Sequence, residues 1–141
     1  MAGQAIHATS VAIRGRAVLI EGASGAGKSD LALRLIDRGA VLVSDDYTLL
    51  ARAGERLIAT APATIAGRME VRGLGIVDVP HAADVPVALV VRLMPEVERM
   101  PDADVRSIEG VDVPVTALDP RPASAAIKIE LALAQPGLEE A

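Results

Sequence analysis

Apolar positions along the chain come in short runs broken by turn-forming residues, and helical spacing governs two stretches. Residues 6 to 13 alternate loosely, Arg14-Gly15-Arg16 is a turn signal, and residues 17 to 20 are apolar, so a β-hairpin is predicted. With Arg14-Gly15 as a two-residue loop, Ile13 pairs with Arg16, and counting outward sets His7 opposite Gly22. Residues 29 to 38 carry Leu31, Leu33, Leu35 and Ile36 among Asp30, Arg34 and Asp37, with Gly39 as a C-terminal cap, which predicts a helix of nearly three turns. Val41-Leu42-Val43 then reads as a buried strand ending in Ser44-Asp45-Asp46.

A strand, a helix and a strand in that order predict a right-handed parallel crossover, which brings Asp45 and Asp46 to the sheet edge where the first strand ends. Farther on, residues 48 to 52 and 56 to 59 around Ala53-Gly54-Glu55 predict a second hairpin. Residues 69 to 79 are strand-like but hold Gly73 and Gly75, which mark a bend or a close backbone approach. Residues 85 to 93 and 111 to 118 predict two more strands, with a polar stretch between them. Residues 124 to 135 are apolar at helical spacing and stop at Pro136-Gly137. No repeat, linker or low-complexity segment interrupts the chain, so one domain over residues 1–141 is expected, with no separate N-terminal regulatory domain.

Composition narrows the function classes. The net charge of −5 is spread over interspersed residues, so no nucleic-acid partner is expected. With no Phe, no Trp and a single tyrosine, Tyr47, the chain lacks the aromatics of a base-stacking platform. The absence of cysteine removes disulfides, thiolate nucleophiles and cysteine zinc sites together. No apolar run approaches the roughly 20 residues that span a bilayer, and a cytoplasmic chain with no membrane partner is expected. Lysine occurs twice, at Lys28 and Lys128, in a chain otherwise rich in arginine.

The first of these lysines lies in Gly22-Ala23-Ser24-Gly25-Ala26-Gly27-Lys28-Ser29, a P-loop between the first hairpin and the first helix. Its glycines let backbone N–H groups turn inward around phosphates, its lysine reaches the outer phosphates, and its serine hydroxyl takes Mg2+. All eight residues are therefore candidate nucleotide-binding residues. A carboxylate of the Asp45-Asp46 pair beside such a loop can orient Mg2+ or accept the proton of an attacking hydroxyl. His7 joins them through the hairpin register, whereas His81, after Pro80, reads as a loop residue. Glu70 and Arg72 share a strand face, where Arg72 either neutralises phosphate or pairs with Glu70 on the surface.

The run from His7 through the P-loop, Leu35-Ile36-Asp37-Arg38-Gly39, Leu42-Val43-Ser44-Asp45-Asp46, and then Glu70-Val71-Arg72-Gly73-Leu74-Gly75-Ile76-Val77-Asp78-Val79, resembles the catalytic domain of HPr kinase/phosphorylase, of the short alphaproteobacterial type. The resemblance covers about residues 5 to 135. It implies an α/β fold, a single P-loop domain with a mixed, largely β central sheet and a P-loop helix, like phosphoenolpyruvate carboxykinase. It implies ATP and Mg2+ as cofactors, with an HPr-like phosphocarrier of a regulatory phosphotransferase system as partner. His7, Lys28, Asp45, Asp46 and Arg99 match catalytic positions, with Asp46 as acceptor of the substrate serine's proton and Asp45 its partner. Ser29 and Glu70 match Mg2+ ligands, and Arg72 is a substrate-binding candidate. The family's hexamer implies a homo-oligomer.

Three departures from the family are expected: no separate N-terminal domain, a replacement of its Gly-Arg-Asn motif around residues 119 to 124, and C-terminal helices that stop early. Kinase chemistry is therefore expected to exceed phosphorolysis. A generic P-loop NTPase or small-molecule kinase and a nucleotide-sensing binding module are the competing readings. A GTPase is disfavoured, since the guanine-reading Asn-Lys-x-Asp motif needs an asparagine and the chain has none.

Overall fold

The computed structural model of the chain describes residues 3–135. In chain order these form β1 (Gln4–Ile6), β2 (Thr9–Ile13), β3 (Arg16–Glu21), α1 (Lys28–Asp37), β4 (Val41–Ser44), β5 (Thr48–Ala53), β6 (Arg56–Thr60), β7 (Arg68–Val71), β8 (Gly75–Asp78), β9 (Val85–Leu93), β10 (Asp104–Ile108), β11 (Val111–Leu118) and α2 (Ala125–Leu133). The expected stop at Pro136-Gly137 lies outside the described residues.

The main sheet runs β1-β5-β6-β9-β3-β2-β4, with β11 joining β9 and β10 joining β11, while β7 and β8 form a separate hairpin. It is mixed: β9 is parallel to β3 and β11 but antiparallel to β6. Alternation along the central strands divides the core. Val18 and Ile20 of β3 and Leu89 and Val91 of β9 pack with Leu31 and Leu35 of α1 and Ile129 and Leu133 of α2. Ala17, Leu19 and Val90 point the other way and pack with Leu50, Leu57, Ile108 and Val113 from the flanking hairpins. Both faces of β3 and β9 are thus covered, which is why their sequences read as continuous apolar runs. Leu89 is fully buried between these layers. Leu89→Ala is expected to cost about 2–5 kcal/mol, since its neighbours cannot close the cavity completely. Urea unfolding measures this, and a loss well under 1 kcal/mol would mean the site collapses freely.

The first hairpin keeps the expected register, with Ile13 opposite Arg16 and Thr9 opposite Ile20. It is shorter than the alternation suggested. The chain bends at His7, and Ile6 belongs to β1, where it pairs with Thr48 of β5. The crossover through α1 also differs from a simple neighbouring pair. β2 lies between β3 and β4 and is antiparallel to both, so β3 and β4 still run in the same direction and end at the same edge. Where β2 meets β4, Ser10 faces Ser44 but Val11 faces Leu42, which leaves Val43 as an extra residue on β4. Such a bulge twists the strand end. Asp45 and Asp46 follow directly.

Two further departures are local. Residues 69 to 79 fold as a hairpin rather than one bent strand, with Gly73 at φ 90° and Gly75 at φ 93°. β7 ends at Val71, so Arg72 lies in the turn, one residue beyond the strand face it was expected to share with Glu70. The polar stretch after β9 contains β10, whose Asp-Val-Arg-Ser-Ile sequence pairs with β11 as an edge strand.

Candidate active site

The P-loop leaves β3 at Glu21 and enters α1 at Lys28. Gly25 (φ 81°) and Gly27 (φ 103°) adopt left-handed backbone, which a side chain would strain. A Cβ on Gly22 would come within 3.1 Å of Ala26 Cβ and 3.2 Å of Leu93 Cβ, so the loop packs closely on the end of β9. Lys28 is buried, and its ammonium donates to the carbonyls of Gly22 (2.8 Å) and Ala23 (3.1 Å). The charge is therefore held across the mouth of the loop. The N-terminus of α1 adds the positive end of its dipole there.

The two neighbouring aspartates occupy opposite environments. Asp45 is 7% exposed and accepts three hydrogen bonds: Ser29 Oγ (2.6 Å) and Thr9 Oγ1 (3.2 Å) donate to Oδ1, and the Glu70 N–H (2.9 Å) donates to Oδ2. A carboxyl group with three donors and so little exposure is an acceptor, fixed in place. Asp46 has a side chain 62% exposed, and its Oδ1 lies 2.9 Å from His7 Nε2. Its backbone is left-handed, φ 70°. The His7 ring also sits against Tyr47, ring centroids 5.1 Å apart.

A cleft of about 610 Å³ opens between the P-loop and the β7–β8 hairpin. Ser24, Gly25, Gly27, Lys28 and Ser29 form one wall, Glu70, Val71 and Arg72 the other, and Asp46 lies on its border. The volume lies within the ~300–1,000 Å³ typical of small-molecule sites. Glu70 and Arg72 make no ion pair with each other, so Arg72 is free to meet an anion. Among the described residues no three carboxylate or imidazole groups converge as a preformed metal cage. P-loop Mg2+ does not need one, because nucleotide phosphates and water supply most of its octahedron. The hydroxyl of Ser29 and the carboxylate of Glu70 are hard oxygen donors that suit it.

The structure therefore brings together the P-loop, Asp45, Asp46, His7, Glu70 and Arg72. Arg99 is different. It lies on the exposed segment between β9 and β10, makes no hydrogen bond or ion pair, and does not border the cleft. Residues 119 to 122 approach the P-loop instead: Pro120 lies 3.9 Å from where a Gly27 Cβ would stand, and Arg34 of α1 donates to the Pro120 (2.7 Å) and Pro122 (3.2 Å) carbonyls. Arg121 is occupied by Asp119 through two 2.9 Å hydrogen bonds and donates to the Pro95 carbonyl (2.8 Å). The Arg121 guanidinium holds the Asp119 carboxyl down to about 2. This folded value is depressed, so the clamp is present above the ordinary carboxylate range and is lost as pH falls toward 2.

The HPr Serine kinase C-terminal domain family matches residues 1–119. The chain belongs to this family. HPr kinase/phosphorylase of Chlorobium phaeobacteroides (strain BS1) is 39% identical over 133 residues, covering 84% of this chain and 39% of the relative. That of Limosilactobacillus reuteri (strain DSM 20016) is 40% identical over 125 residues, covering 79% and 39%. The chain thus spans about two fifths of the length of the curated relatives it matches. A solved structure, the Hpr(Ser) kinase/phosphatase from Coxiella burnetii, superposes with a TM-score of 0.81 at 31% identity, covering 92% of this chain and 93% of that one. The HPr kinase domain fold accounts for the large curled sheet with few helices. No helix among the described residues is long and apolar enough to cross a membrane.

What the sequence analysis did not find is a set of buried hydroxyls. Thr9, Ser10, Ser44 and Thr48 are all at most 1% exposed. Ser10 and Thr48 hydrogen-bond each other (2.8 Å), Thr48 donates to the Ala8 carbonyl (2.8 Å), and Ser44 donates to the Tyr47 carbonyl. The consecutive Thr9-Ser10 pair that opens β2 was the available signal, but two polar residues at a strand start read as solvent-facing when no partner is visible in the sequence.

Proposed function

We propose that this chain is an ATP-dependent serine kinase that phosphorylates an HPr-like phosphocarrier protein of a regulatory phosphotransferase system. The observation that carries the reading is the division of labour within the aspartate pair: Asp45 is buried against Ser29, while the adjacent Asp46 is exposed on the cleft beside His7. A nucleotide sensor needs no proton acceptor beside the cleft, and a small-molecule kinase needs one enclosed with its substrate rather than at the open rim. A protein substrate presenting a serine needs it at the rim, because its hydroxyl must enter from outside.

In this reading the P-loop amides and Lys28 bind the ATP phosphates, and Arg72 offers a further positive charge from the facing wall. Mg2+, held by Ser29 and Glu70, would neutralise charge on the β and γ oxygens. Asp46 accepts the serine proton as that oxygen bonds to the γ phosphorus and the bond to the bridging oxygen of ADP breaks. His7 fixes the Asp46 carboxylate, and Asp45 orients Ser29. Arg99 enters this reading by resemblance alone. The similarity to relatives named HPr kinase/phosphorylase supports the substrate class.

Incubation with ATP, Mg2+ and a purified HPr-like carrier, followed by mass spectrometry, should find one phosphoryl group on a carrier serine. Nucleotide binding without carrier modification would favour the sensor reading, and ATP hydrolysis alone the generic NTPase. The reverse reaction belongs to the same experiment. Phosphorolysis needs a second anion held in line with the first. Near the P-loop, Arg121 is already engaged by Asp119. Phospho-carrier incubated with excess phosphate should therefore release pyrophosphate more slowly than the forward reaction proceeds. Equal rates would show that another group builds the second anion site.

A further inference from the structure

We propose that Thr9 is a positioning residue that sets the proton acceptor in place through its hydroxyl, an inference that rests on the kinase reading above. Thr9 is the first residue of β2 and is fully buried. Its Oγ1 donates to Asp45 Oδ1 at 3.2 Å and accepts the Asp46 N–H at 3.2 Å. One hydroxyl thus uses its proton on one carboxylate and a lone pair on the backbone of the next. Among the described residues no other side chain hydrogen-bonds to both aspartates.

The second contact is the more consequential. Asp46 has φ 70°, left-handed backbone that aspartate tolerates better than most L residues, so a modest local contact is enough to hold it there. The Asp46 N–H lies beyond the end of β4 and outside the strand ladder, and the Thr9 hydroxyl is its acceptor. That bond fixes the peptide plane between Asp45 and Asp46. The plane in turn decides whether the Asp46 carboxylate meets His7 at the rim of the cleft or swings to solvent. Thr9 does not border the cleft, so it acts through Asp46 rather than on substrate. The bordering backbone has its own supports in the Ser10–Thr48 pair and the Thr48 to Ala8 bond, so losing the Thr9 hydroxyl alone leaves β2 in place.

Thr9→Val preserves shape and removes the hydroxyl, and Thr9→Ser does the reverse. Thr9→Val should lower kcat about 10- to 100-fold, because a small misplacement of a reacting group costs that much. ATP Kd should stay within about twofold, and Thr9→Ser should restore most of kcat. Wild-type kcat in Thr9→Val, equal loss in Thr9→Ser, or an ATP Kd that weakens in step with kcat would overturn the inference. Thr9→Ala serves the same comparison if Thr9→Val does not fold. Hydrogen exchange at the Asp46 amide reads the contact without turnover. Its protection should fall at least tenfold in Thr9→Val and persist in Thr9→Ser. An inactive wild-type chain would defeat the kinase reading alone, whereas unchanged Asp46 protection in Thr9→Val would defeat the role of Thr9.

Discussion

Lys28→Met is expected to reduce phosphoryl transfer by on the order of 10³-fold or more, because charge spreading over the transferring group would lose the cation held at the loop mouth. Lys28 and Arg72 are the cations lining the cleft. Arg72 stands on the opposite wall, on the turn after β7, and has no backbone clamp like the Gly22 and Ala23 carbonyls that aim the Lys28 ammonium. Methionine keeps the length of the side chain and fills the buried space, so the fold should survive. Single-turnover transfer to the carrier, measured with a thermal melt as control, checks this. Turnover near the wild-type rate would mean that the P-loop lysine is not the charge that stabilises the transition state.

The second large effect is expected from Asp46→Asn, a loss of about 10²- to 10⁴-fold in kcat with ATP binding retained. The substitution is unusually clean at this position. Asparagine tolerates left-handed backbone as aspartate does, so φ 70° is not a confounding strain. The Asp46 N–H to Thr9 is untouched, and an amide oxygen can still meet His7. What disappears is the capacity to take the serine proton. Asp45→Asn should behave differently. An amide there turns one acceptor into a donor facing Ser29, Thr9 or the Glu70 N–H, so stability and loop order fall together with activity. Kinetics of both variants beside their unfolding curves separate the roles. An inactive Asp45→Asn beside a fully active Asp46→Asn would exchange them.

The local elements were legible because each rests on interactions within a few residues. The hairpin register follows from a two-residue turn at Arg14-Gly15, and the helix end follows from Gly39, whose φ of 110° lets its N–H and that of Ala40 reach the Ile36 and Leu35 carbonyls. The P-loop was legible for the same reason, since its glycines, lysine and serine act through their own backbone and the start of one helix. β10 was not legible. A short edge strand with Asp104, Arg106 and Ser107 carries little apolar signal, and pairing with β11 supplies what its composition lacks.

By itself, then, the sequence determined the nucleotide loop, the direction of the strand that delivers the aspartate pair, and the register of the first hairpin, which ends at Thr9, short of the expected His7–Gly22 pairing. Each follows from chirality, turn geometry or strand counting, which are properties of contiguous chain. Tertiary structure alone decided which aspartate is buried and which is exposed, because that depends on Thr9 from β2, Ser29 from α1 and the Glu70 amide from β7 converging on Asp45 from three separate elements. It also decided that Arg121, already paired locally with Asp119, is tied to the Pro95 carbonyl, and that the loop carrying both approaches the P-loop. Identical neighbours in sequence become chemically different groups only when long-range packing fixes the donors and solvent around each, and no local pattern encodes that.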